Sequence, residues 1–453
     1  LALNMQLNSG TSSDSTLLFE STSTTGTSLL SSDITLNCNI DLSGTGITGL
    51  TRDDGENEAY TGTFNGSGHT ITLAVGEPYG YRSNTALAAG DASDGNGRIY
   101  RHYYSGLFAK TENITFNNLI VDGIINVKYT DNARYYIGGL SALHSGNITV
   151  QDLTVQENIN VSGNTGNYCF VGGIAGQAAE NSSPAIVISG STISPEINCS
   201  GNANFICGGA FAEIGQNDKF SVTADNVKLG AAVTNSSTAG SKKVGGFIGN
   251  ISSNNGAVSD RTISLTNITI DSENVTSAYG GALLGESWNN CEVSVGSETE
   301  KGITVKSAEV TQNGNGDFAG FVTNATGCWK VYDVNIEGIT VSGASAASFG
   351  MLVNKGVYKY DSITTALYLE TESENAYKIG SAVISIGLNT IYDEIIATCS
   401  GSFDDEDAVL WNDTCAVVSI HTSGGAVTMD GADCNTYQNQ TSVKKANPYS
   451  RYY

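Results

Sequence analysis

Charge, proline and methionine are all scarce in this sequence of 453 residues. Charged side chains make up 15% of the chain, and there are only 4 Pro and 3 Met. Soluble proteins average about 25% charged residues, so Ser, Thr, Asn and Gly must cover most of this surface. The residues that favour helices are too few for a helical bundle.

Basic residues are the scarcest of the charged types. Lys and Arg total 21 against 45 Asp and Glu, which gives a net charge of −24, and they form no basic stripe. Such a chain lacks the cations that would neutralise phosphate groups. We therefore expect neither nucleic acid nor an anionic membrane surface as a partner.

Long apolar runs are also missing. No stretch approaches the roughly 18 apolar residues of a membrane span, so we expect no membrane insertion. The chain begins at Leu1 without a methionine, and its nine cysteines form no CxxC metal pairs. We expect that a leader or longer precursor has been removed, that the protein is extracellular or on the cell surface, and that it carries no metal or cofactor.

Glycine is abundant, with 54 residues, and it is arranged in a repeat. A glycine followed by a short apolar run, here called a glycine box, occurs at Gly106, Gly139, Gly173, Gly209, Gly246, Gly281, Gly320 and Gly350. The successive spacings are 33, 34, 36, 37, 35, 39 and 30 residues. A period of this length also suits helical arrays, but the residues inside each period exclude that interpretation.

Two segments with apolar residues at alternate positions lie between the boxes. Copies of the first begin at Ile114, Ile148, Val222, Ile263 and Trp329, and copies of the shorter second begin at Ile159, Ile197, Ile303 and Ile339. β-Branched residues at a period of two predict strands, and the lengths of the segments fit three short strands per repeat.

One position interrupts the alternation of the first segment. Its occupants in successive repeats are Asn118, Asp152, Gly190, Asn226, Asn267 and Asp333. Asn, Asp and Gly are the residues that best tolerate a left-handed backbone. We therefore predict a corner between two strands, stacked over successive coils into a ladder.

Together these features predict an all-β fold, a right-handed parallel β-helix of about eight to nine coils with three short strands per coil. A β-sandwich array would need Asn-Gly or Asp-Gly hairpin turns in each period, and these are sparse. We predict a Ser/Thr-rich segment at 1–33, the β-helix at 34–391 with a loop insertion at about 76–104, and a cysteine-containing tail at 392–453. The ends of a β-helix leave backbone groups unpaired, so these terminal segments are expected to be caps or subunit contacts.

Several of these motifs resemble a known family. Residues 36–43 (LNCNIDLS), residues 60–73 (YTGTFNGSGHTITL), residues 105–109 (SGLFA) and the glycine boxes are similar to the glycine-rich "GLUG" repeats of cell-surface β-helix proteins. The resemblance covers roughly residues 34–356. It implies a β-helix of the kind found in adhesins, large surface proteins and fibres, and it implies no activity.

The cysteine spacings suggest three disulfides. The candidate pairs are Cys291–Cys328 and Cys169–Cys207, separated by 37 and 38 residues, and Cys399–Cys415 in the tail. A separation of about one period could place two cysteines on adjacent coils, within reach of a bond. Buried free thiols are the alternative, and one of nine must in any case be left over, with Cys38 and Cys199 as candidates.

Catalytic patterns are weak. A glycosidase needs two carboxylates about 5 to 9.5 Å apart, and a lyase on this architecture needs calcium with an Arg or Lys base. The acidic candidates are Asp53 and Asp54 beside Arg52, better interpreted as a solvated turn, and the run Asp404–Asp407, better interpreted as a solvated or weak calcium-binding loop. The histidines are His69, which is expected to be structural, and the isolated His102, His144 and His421. No nucleophile elbow, P-loop or dinucleotide motif is present, so we predict no enzyme.

The surface offers sequons and aromatic clusters. The 13 candidate N-glycosylation sites are Asn65, Asn113, Asn147, Asn160, Asn181, Asn198, Asn235, Asn250, Asn267, Asn274, Asn324, Asn412 and Asn439. Chance alone gives nearly that many in so polar a chain. Tyrosines cluster at Tyr100, Tyr103 and Tyr104, at Tyr135 and Tyr136, at Tyr358 and Tyr360, and at Tyr449, Tyr452 and Tyr453. They suit either packing under loops or an interface with sugar or protein.

The sequence thus favours a non-enzymatic structural subunit of an extracellular filament or cell-surface appendage, a rod that self-associates through its ends. An adhesin that binds glycans along one side is the alternative, and a polysaccharide lyase or hydrolase is a remote one.

Overall fold

The fold was determined from a computed structural model. It describes residues 19–21, 29–43, 59–75, 81–82, 102–129, 133–163, 168–178, 184–215, 219–238, 242–252, 261–278, 280–281, 284–297, 299–314, 317–319, 322–331, 334–346, 348–350, 353–356, 367–371, 377–379, 382–388, 394–398, 417–421, 425–430 and 443–445. Apart from one turn of 3₁₀-helix at Leu29–Ser31, the regular structure there is entirely β.

The strands form three sheets, numbered here in the order in which the chain visits them. Sheet 1 contains β1 (Phe19–Ser21), β2 (Ile34–Leu36), β4 (Thr63–Asn65), β8 (Phe108–Asn117), β11 (Ser141–Gln151), β15 (Ala175–Ala178), β16 (Ala185–Ser189), β20 (Phe211–Gly215), β21 (Phe220–Asp225), β25 (Ile248–Ser252), β26 (Arg261–Thr266), β29 (Leu284–Val295), β32 (Val322–Val331), β36 (Val353–Gly356) and β37 (Leu367–Thr371).

Sheet 2 contains β3 (Ile40–Asp41), β5 (Thr70–Val75), β9 (Ile120–Tyr129), β12 (Thr154–Val155), β13 (Asn158–Gly163), β17 (Thr192–Ile193), β18 (Glu196–Gly201), β22 (Lys228–Leu229), β23 (Ala232–Asn235), β27 (Ile268–Ser277), β30 (Ile303–Gln312), β33 (Val334–Ile336), β34 (Ile339–Ala346), β38 (Tyr377–Ile379), β39 (Ala382–Leu388) and β42 (Gly425–Asp430). Sheet 3 contains β6 (Tyr81–Arg82), β7 (His102–Ser105), β10 (Arg134–Gly138), β14 (Tyr168–Gly172), β19 (Asn204–Gly208), β24 (Lys242–Gly245), β28 (Gly280–Gly281), β31 (Asp317–Ala319), β35 (Ser348–Gly350), β40 (Glu394–Thr398), β41 (Val417–His421) and β43 (Val443–Lys445).

The chain winds through the sheets as a parallel β-solenoid, which confirms the coarse fold prediction. One coil, for example, runs through β11, then β12 and β13, then β14, and returns to sheet 1 as β15. Ser141 of β11 pairs in parallel with Ala175 of β15, 34 residues further on, so one glycine-box period is one coil. The stretch from β8 to β28, where most side chains are described, comprises about five turns.

Alternate residues of each strand fill the interior of the coils. In β13, Ile159 and Val161 are buried while Asn158 faces solvent. The inward positions stack in register over successive coils, as in the column of Ile125, Ile159, Ile197 and Val233. Each such side chain contributes about 1.5 to 3 kcal/mol when fully buried.

A second, smaller apolar cluster lies on the opposite face of sheet 3. Tyr135 of β10 belongs to the main core, whereas the next residue, Tyr136, packs in the second cluster. Its ring stacks between those of Tyr104 and Phe170, at centroid distances of 5.4 and 5.2 Å. The remaining members of this cluster are Ala109, Ala142, Leu143, Ile206 and Ala212. These side chains fill the angle between sheets 3 and 1, which we call the notch.

The glycine boxes make the notch possible. A Cβ atom added at Gly249 would lie 2.3 Å from the carbonyl oxygen of Cys207, and one at Gly176 would lie 2.7 Å from the nitrogen of Ile137. Both clashes involve backbone atoms of sheet 3, which have no free rotation to move away. Only small residues therefore fit where sheet 1 approaches sheet 3, and the same register position holds Ala142 and Ala212 in neighbouring coils.

Candidate functional site

The ends of the solenoid are covered by strands from the terminal parts of the chain. At the N-terminal end, β1 pairs antiparallel with β2 and β6 pairs antiparallel with β7. At the other end, β41 pairs antiparallel with β35, and β42 pairs antiparallel with β39. The described pairings between coils are parallel, so a change of strand direction marks both ends. Such covering satisfies backbone groups that an open sheet edge would expose.

A row of polar side chains crosses three coils at the mouth of the notch. Gln177, Glu213 and Asn250 pair in register on β15, β20 and β25, and all three are buried. Gln177 Nε2 donates to Glu213 Oε1 at 2.8 Å, and Asn250 Nδ2 donates to Glu213 Oε2 at 2.7 Å. Lys243 Nζ donates to Asn250 Oδ1 at 3.4 Å. We call these residues the amide–carboxyl ladder.

The electrostatics of the ladder follow from burial and from its partners. Burial raises the pKa of Glu213, while the hydrogen bonds from Asn250 and Gln177 and the charges of Lys243 and Arg134 oppose that rise. Both oxygens of Glu213 already accept a hydrogen bond, and the side chain is buried. The arrangement therefore links three successive coils through their side chains.

The sequence prediction missed this ladder, although a signal exists. A polar residue directly follows each of four successive glycine boxes; these residues are Gln177, Glu213, Asn250 and Glu286. The parallel register places Glu286 opposite Asn250. Polar residues that recur at one position of a solenoid repeat stack directly, and that recurrence would have revealed the ladder.

Two other glutamates are buried inside the coils without a side-chain partner. Among the described residues, no side chain donates a hydrogen bond to the carboxyl oxygens of Glu157 or Glu273. Burial raises the pKa of Glu157 to about 8, and the charge of Asp122 adds to the rise, while the N–H groups of Glu157 and Gln156 oppose it. Burial also raises the pKa of Glu273 well above its usual range.

His144 lies in a small buried polar network. Its Nε2 is 3.0 Å from the carbonyl oxygen of Gly146, so Nε2 must carry the proton and donate. Nδ1 lies 2.8 Å from the hydroxyl oxygen of Thr111, which also donates to Ser141 Oγ at 2.9 Å. Burial lowers the pKa of His144 to about 4, against the opposing contacts with Gly146 and Asn147. The imidazole is neutral at pH 7 and enclosed in the fold, which is a structural arrangement.

The predicted corner residues have left-handed backbone wherever they are described. The φ angles are 47° at Asn118, 51° at Asp152, 60° at Gly190, 52° at Asn226 and 54° at Asn267. Each backbone N–H donates to the carbonyl oxygen of the residue before the corner of the next coil, as from Asn118 to Gln151 at 2.9 Å. Asp333 lies outside the described residues.

The cysteines are arranged differently from the predicted pairing. Cys169 and Cys207 are buried free thiols, not a disulfide. Their backbones are two positions out of register, because Cys169 pairs with Phe205 and Cys207 pairs with Val171. The sulfur of Cys207 instead lies 3.4 Å from that of Cys199. The predicted pairing was based on a separation of one period. It did not take into account that sheets 2 and 3 of a single coil meet at a corner.

The two other predicted disulfides remain predictions. Cys291 pairs with Gly327 and Cys328 pairs with Glu292, so the two backbones are one position apart on adjacent strands. The side chains of Cys291 and Cys328, and the whole of Cys399 and Cys415, lie outside the described part of the chain. Cys38 is a half-buried free thiol.

The asparagines of the candidate N-glycosylation sites differ in their exposure to solvent. Asn113, Asn147, Asn267 and Asn274 are exposed, and three more are half-buried, namely Asn65, Asn160 and Asn198. Asn160 and Asn198 take part in a ladder of side-chain amides, in which Asn160 Nδ2 donates to Asn126 Oδ1 at 3.0 Å and Asn198 Nδ2 donates to Asn160 Oδ1 at 3.3 Å.

Two candidate glycosylation sites are incompatible with this fold. Asn235 and Asn250 are buried, at 0% and 2% exposure. The nitrogen of Asn250 that would carry the sugar donates to Glu213. The amides of Asn181, Asn324, Asn412 and Asn439 lie outside the described side chains.

The catalytic candidates are not brought together. The half-buried His69 has its Nδ1 3.3 Å from Asn39 Oδ1, a contact between neighbouring strands. Arg52, Asp53, Asp54 and Asp404–Asp407 lie outside the described residues, as do the side chains of His102 and His421. In the described part of the chain, no three His, Cys, Asp or Glu side chains are placed to bind a metal ion.

The described tyrosines of the predicted clusters are packing residues. Tyr104, Tyr135 and Tyr136 are buried, and Tyr103 is half-buried against the main core. The rings of Tyr103 and Tyr135 stack at 4.8 Å inside the coils. The clusters at 358–360 and 449–453, and Tyr100, lie outside the described residues.

Searches of protein-family models, of curated proteins and of solved structures found no match to this chain. Within the described residues, no helix has the length and apolar character of a membrane span.

Proposed function

We propose that this protein is a non-enzymatic structural subunit of an extracellular filament or cell-surface appendage. The rod is a right-handed β-helix of about eight to nine coils, of the GLUG-repeat type, and each subunit associates with further copies through its ends. The observation that carries the proposal is the antiparallel covering of both ends by terminal strands.

A strand that covers one end of the solenoid can pair with its own chain or with a second chain. The main-chain hydrogen bonds between β1 and β2 depend on backbone geometry and not on which chain supplies β1. If β1 of one subunit pairs with β2 of the next, and β1 of that subunit pairs with a third chain instead of returning to the first, the series of contacts stays open. Contacts of that kind generate filaments.

The body of the solenoid is suited to transmit load along a rod. Its coils are joined by continuous parallel ladders and by stacked side chains, such as the column from Ile125 to Val233. The amide–carboxyl ladder and the amide ladder at Asn126, Asn160 and Asn198 add bonds between coils on two further faces. These links support a stiff structural element.

A strand-locking experiment tests the proposal. Glu20 pairs with Thr35 across β1 and β2, and Ser385 pairs with Thr428 across β39 and β42. A disulfide from Glu20→Cys with Thr35→Cys, and a second from Ser385→Cys with Thr428→Cys, would fix these strands on their own chain. We expect the doubly locked protein to remain monomeric and to form filaments in negative-stain electron microscopy only after reduction.

The single variants Glu20→Cys and Ser385→Cys are the matched controls and should assemble like the unmodified chain. Filaments from the doubly locked protein would contradict exchange of the end strands. Monodisperse monomers of the unmodified chain at high concentration would contradict the filament itself.

A glycan-binding adhesin has less support. That function requires exposed aromatic side chains on a lateral face, and the described members of the tyrosine clusters are buried or half-buried.

A further inference from the structure

The corner between sheets 2 and 3 carries a pair of inward side chains in each coil. Parallel register identifies equivalent positions on β9, β13, β18 and β23 and on β10, β14, β19 and β24. The successive pairs are Val127 with Ile137, Val161 with Val171, Cys199 with Cys207, and Asn235 with Val244. One coil therefore has two thiols where the preceding coil has two valines.

The two thiols are in contact. Cys199 Sγ and Cys207 Sγ are 3.4 Å apart, and both side chains are almost completely buried. A disulfide has a sulfur–sulfur distance of about 2.05 Å, so a small approach of the two side chains is enough to form the bond. The short turn between β18 and β19 already brings the strands together.

We propose that Cys199 and Cys207 are an oxidisable pair that forms a disulfide within a single coil. The oxidant is a low-molecular-weight disulfide. One cysteine thiolate attacks it, releasing one thiol and leaving a mixed disulfide on the protein. The second cysteine thiolate displaces the other half as a thiol. The two cysteines lose two electrons and two protons, and the oxidant is reduced to two thiols.

The surroundings determine when this bond forms. Burial raises the pKa of Cys199 well above its usual range, and the neighbouring Cys207 and Cys169 add to the effect. Burial also raises the pKa of Cys169. Because both thiols are enclosed in the fold and the thiolate is the nucleophile, exchange with an external disulfide is slow in the folded coil. The bond therefore forms before the coils stack, and once formed it is shielded from reductants.

Oxidative refolding of the full chain tests the proposal. The protein is refolded with oxidised and reduced glutathione, alkylated, digested without reduction and analysed by mass spectrometry. We expect a peptide containing Cys199 and Cys207 that is lighter by two hydrogen atoms than its reduced form, with Cys169 alkylated. We also expect the bond to resist dithiothreitol in the folded protein and to be reduced in urea.

Three variants complete the test. Cys199→Val with Cys207→Val restores the valine pair of the preceding coil, so it should fold and lose the linkage. Cys169→Ala should keep the linkage. A bond from Cys169 to Cys207, or alkylation of both Cys199 and Cys207 after oxidative refolding, would overturn the proposal.

Discussion

Two regions of this solenoid bury a carboxyl group, and they treat it differently. In the amide–carboxyl ladder, Glu213 receives hydrogen bonds from the coils on both sides. Inside the coils, Glu157 is fully buried and receives no hydrogen bond from a described side chain of either neighbouring coil. The two glutamates differ because different residues stack beside them in the neighbouring coils.

The neighbours of Glu213 in register are Gln177 and Asn250, whose amides can donate. Asn158 pairs with Ile124 in one neighbouring coil and with Glu196 in the other. The residues beside Glu157 are therefore Gly123 and Pro195, and neither has a side-chain donor. Glu273 pairs with Ala308, which has none either. In a parallel solenoid, the residues one coil away thus decide whether a buried polar group is satisfied.

The largest expected effect is a pH-dependent loss of stability from Glu157. Its pKa is raised from 4.5 to about 8, so the unfolded chain ionises first. The free energy of unfolding should fall as the pH rises from 4.5 to 8, by about 1.4 kcal/mol per pH unit and about 5 kcal/mol at most. Glu157→Gln should remove the contribution of Glu157 to this slope, leave that of Glu273, and raise the urea midpoint at pH 8.

The matched control is Glu112→Gln, which changes an exposed glutamate and should leave the pH profile unaltered. If Glu157→Gln unfolds at the same urea concentration as the unmodified chain at both pH 5 and pH 8, the carboxyl has a partner and the contrast with Glu213 is lost.

The second largest effect is a loss of stability at acidic pH, caused by a buried histidine. His144 is buried like Glu157, but its neutral form has partners in Thr111 and Gly146. Its pKa is lowered from 6.5 to about 4, so the unfolded chain takes up a proton first as the pH falls. Stability should drop by about 3 kcal/mol between pH 6.5 and pH 4.

His144→Leu should cost stability at pH 7, because the carbonyl oxygen of Gly146 loses the donor Nε2. It should also flatten the fall in stability at acidic pH. Thermal melts at pH 7, 6, 5 and 4 measure both effects. Titration of His144 near pH 6.5 in a proton NMR experiment would show that the ring is accessible in the folded state.

The smallest effect concerns Glu213 itself. Glu213→Gln replaces one accepting oxygen by a donor that faces the amide of Gln177 or Asn250. The loss of charged hydrogen bonds should lower the free energy of unfolding by about 1 to 2 kcal/mol. The same substitution should thus destabilise at Glu213 and stabilise at Glu157 at pH 8. An equal sign at both positions in urea titrations would remove the distinction between them.

Much of the fold could be predicted from one sequence. The period near 34 residues, the alternating segments and the positions of Asn118 and Asp152 indicate stacked parallel strands with corners. These signals are local and are repeated in successive coils. The polar residues that follow four of the glycine boxes carried a comparable signal for the amide–carboxyl ladder, but it can be recognised only when successive repeats are compared.

The sequence by itself determined that the chain coils, where each coil bends, and which residues face inward, because those properties follow from strand alternation and glycine placement. Only the tertiary structure decided that Cys207 meets Cys199 and not Cys169, that Glu213 is paired and Glu157 is not, and which strands cover the ends. The physical reason is that these contacts depend on the angle between sheets and on the register between coils, which a one-residue shift would change.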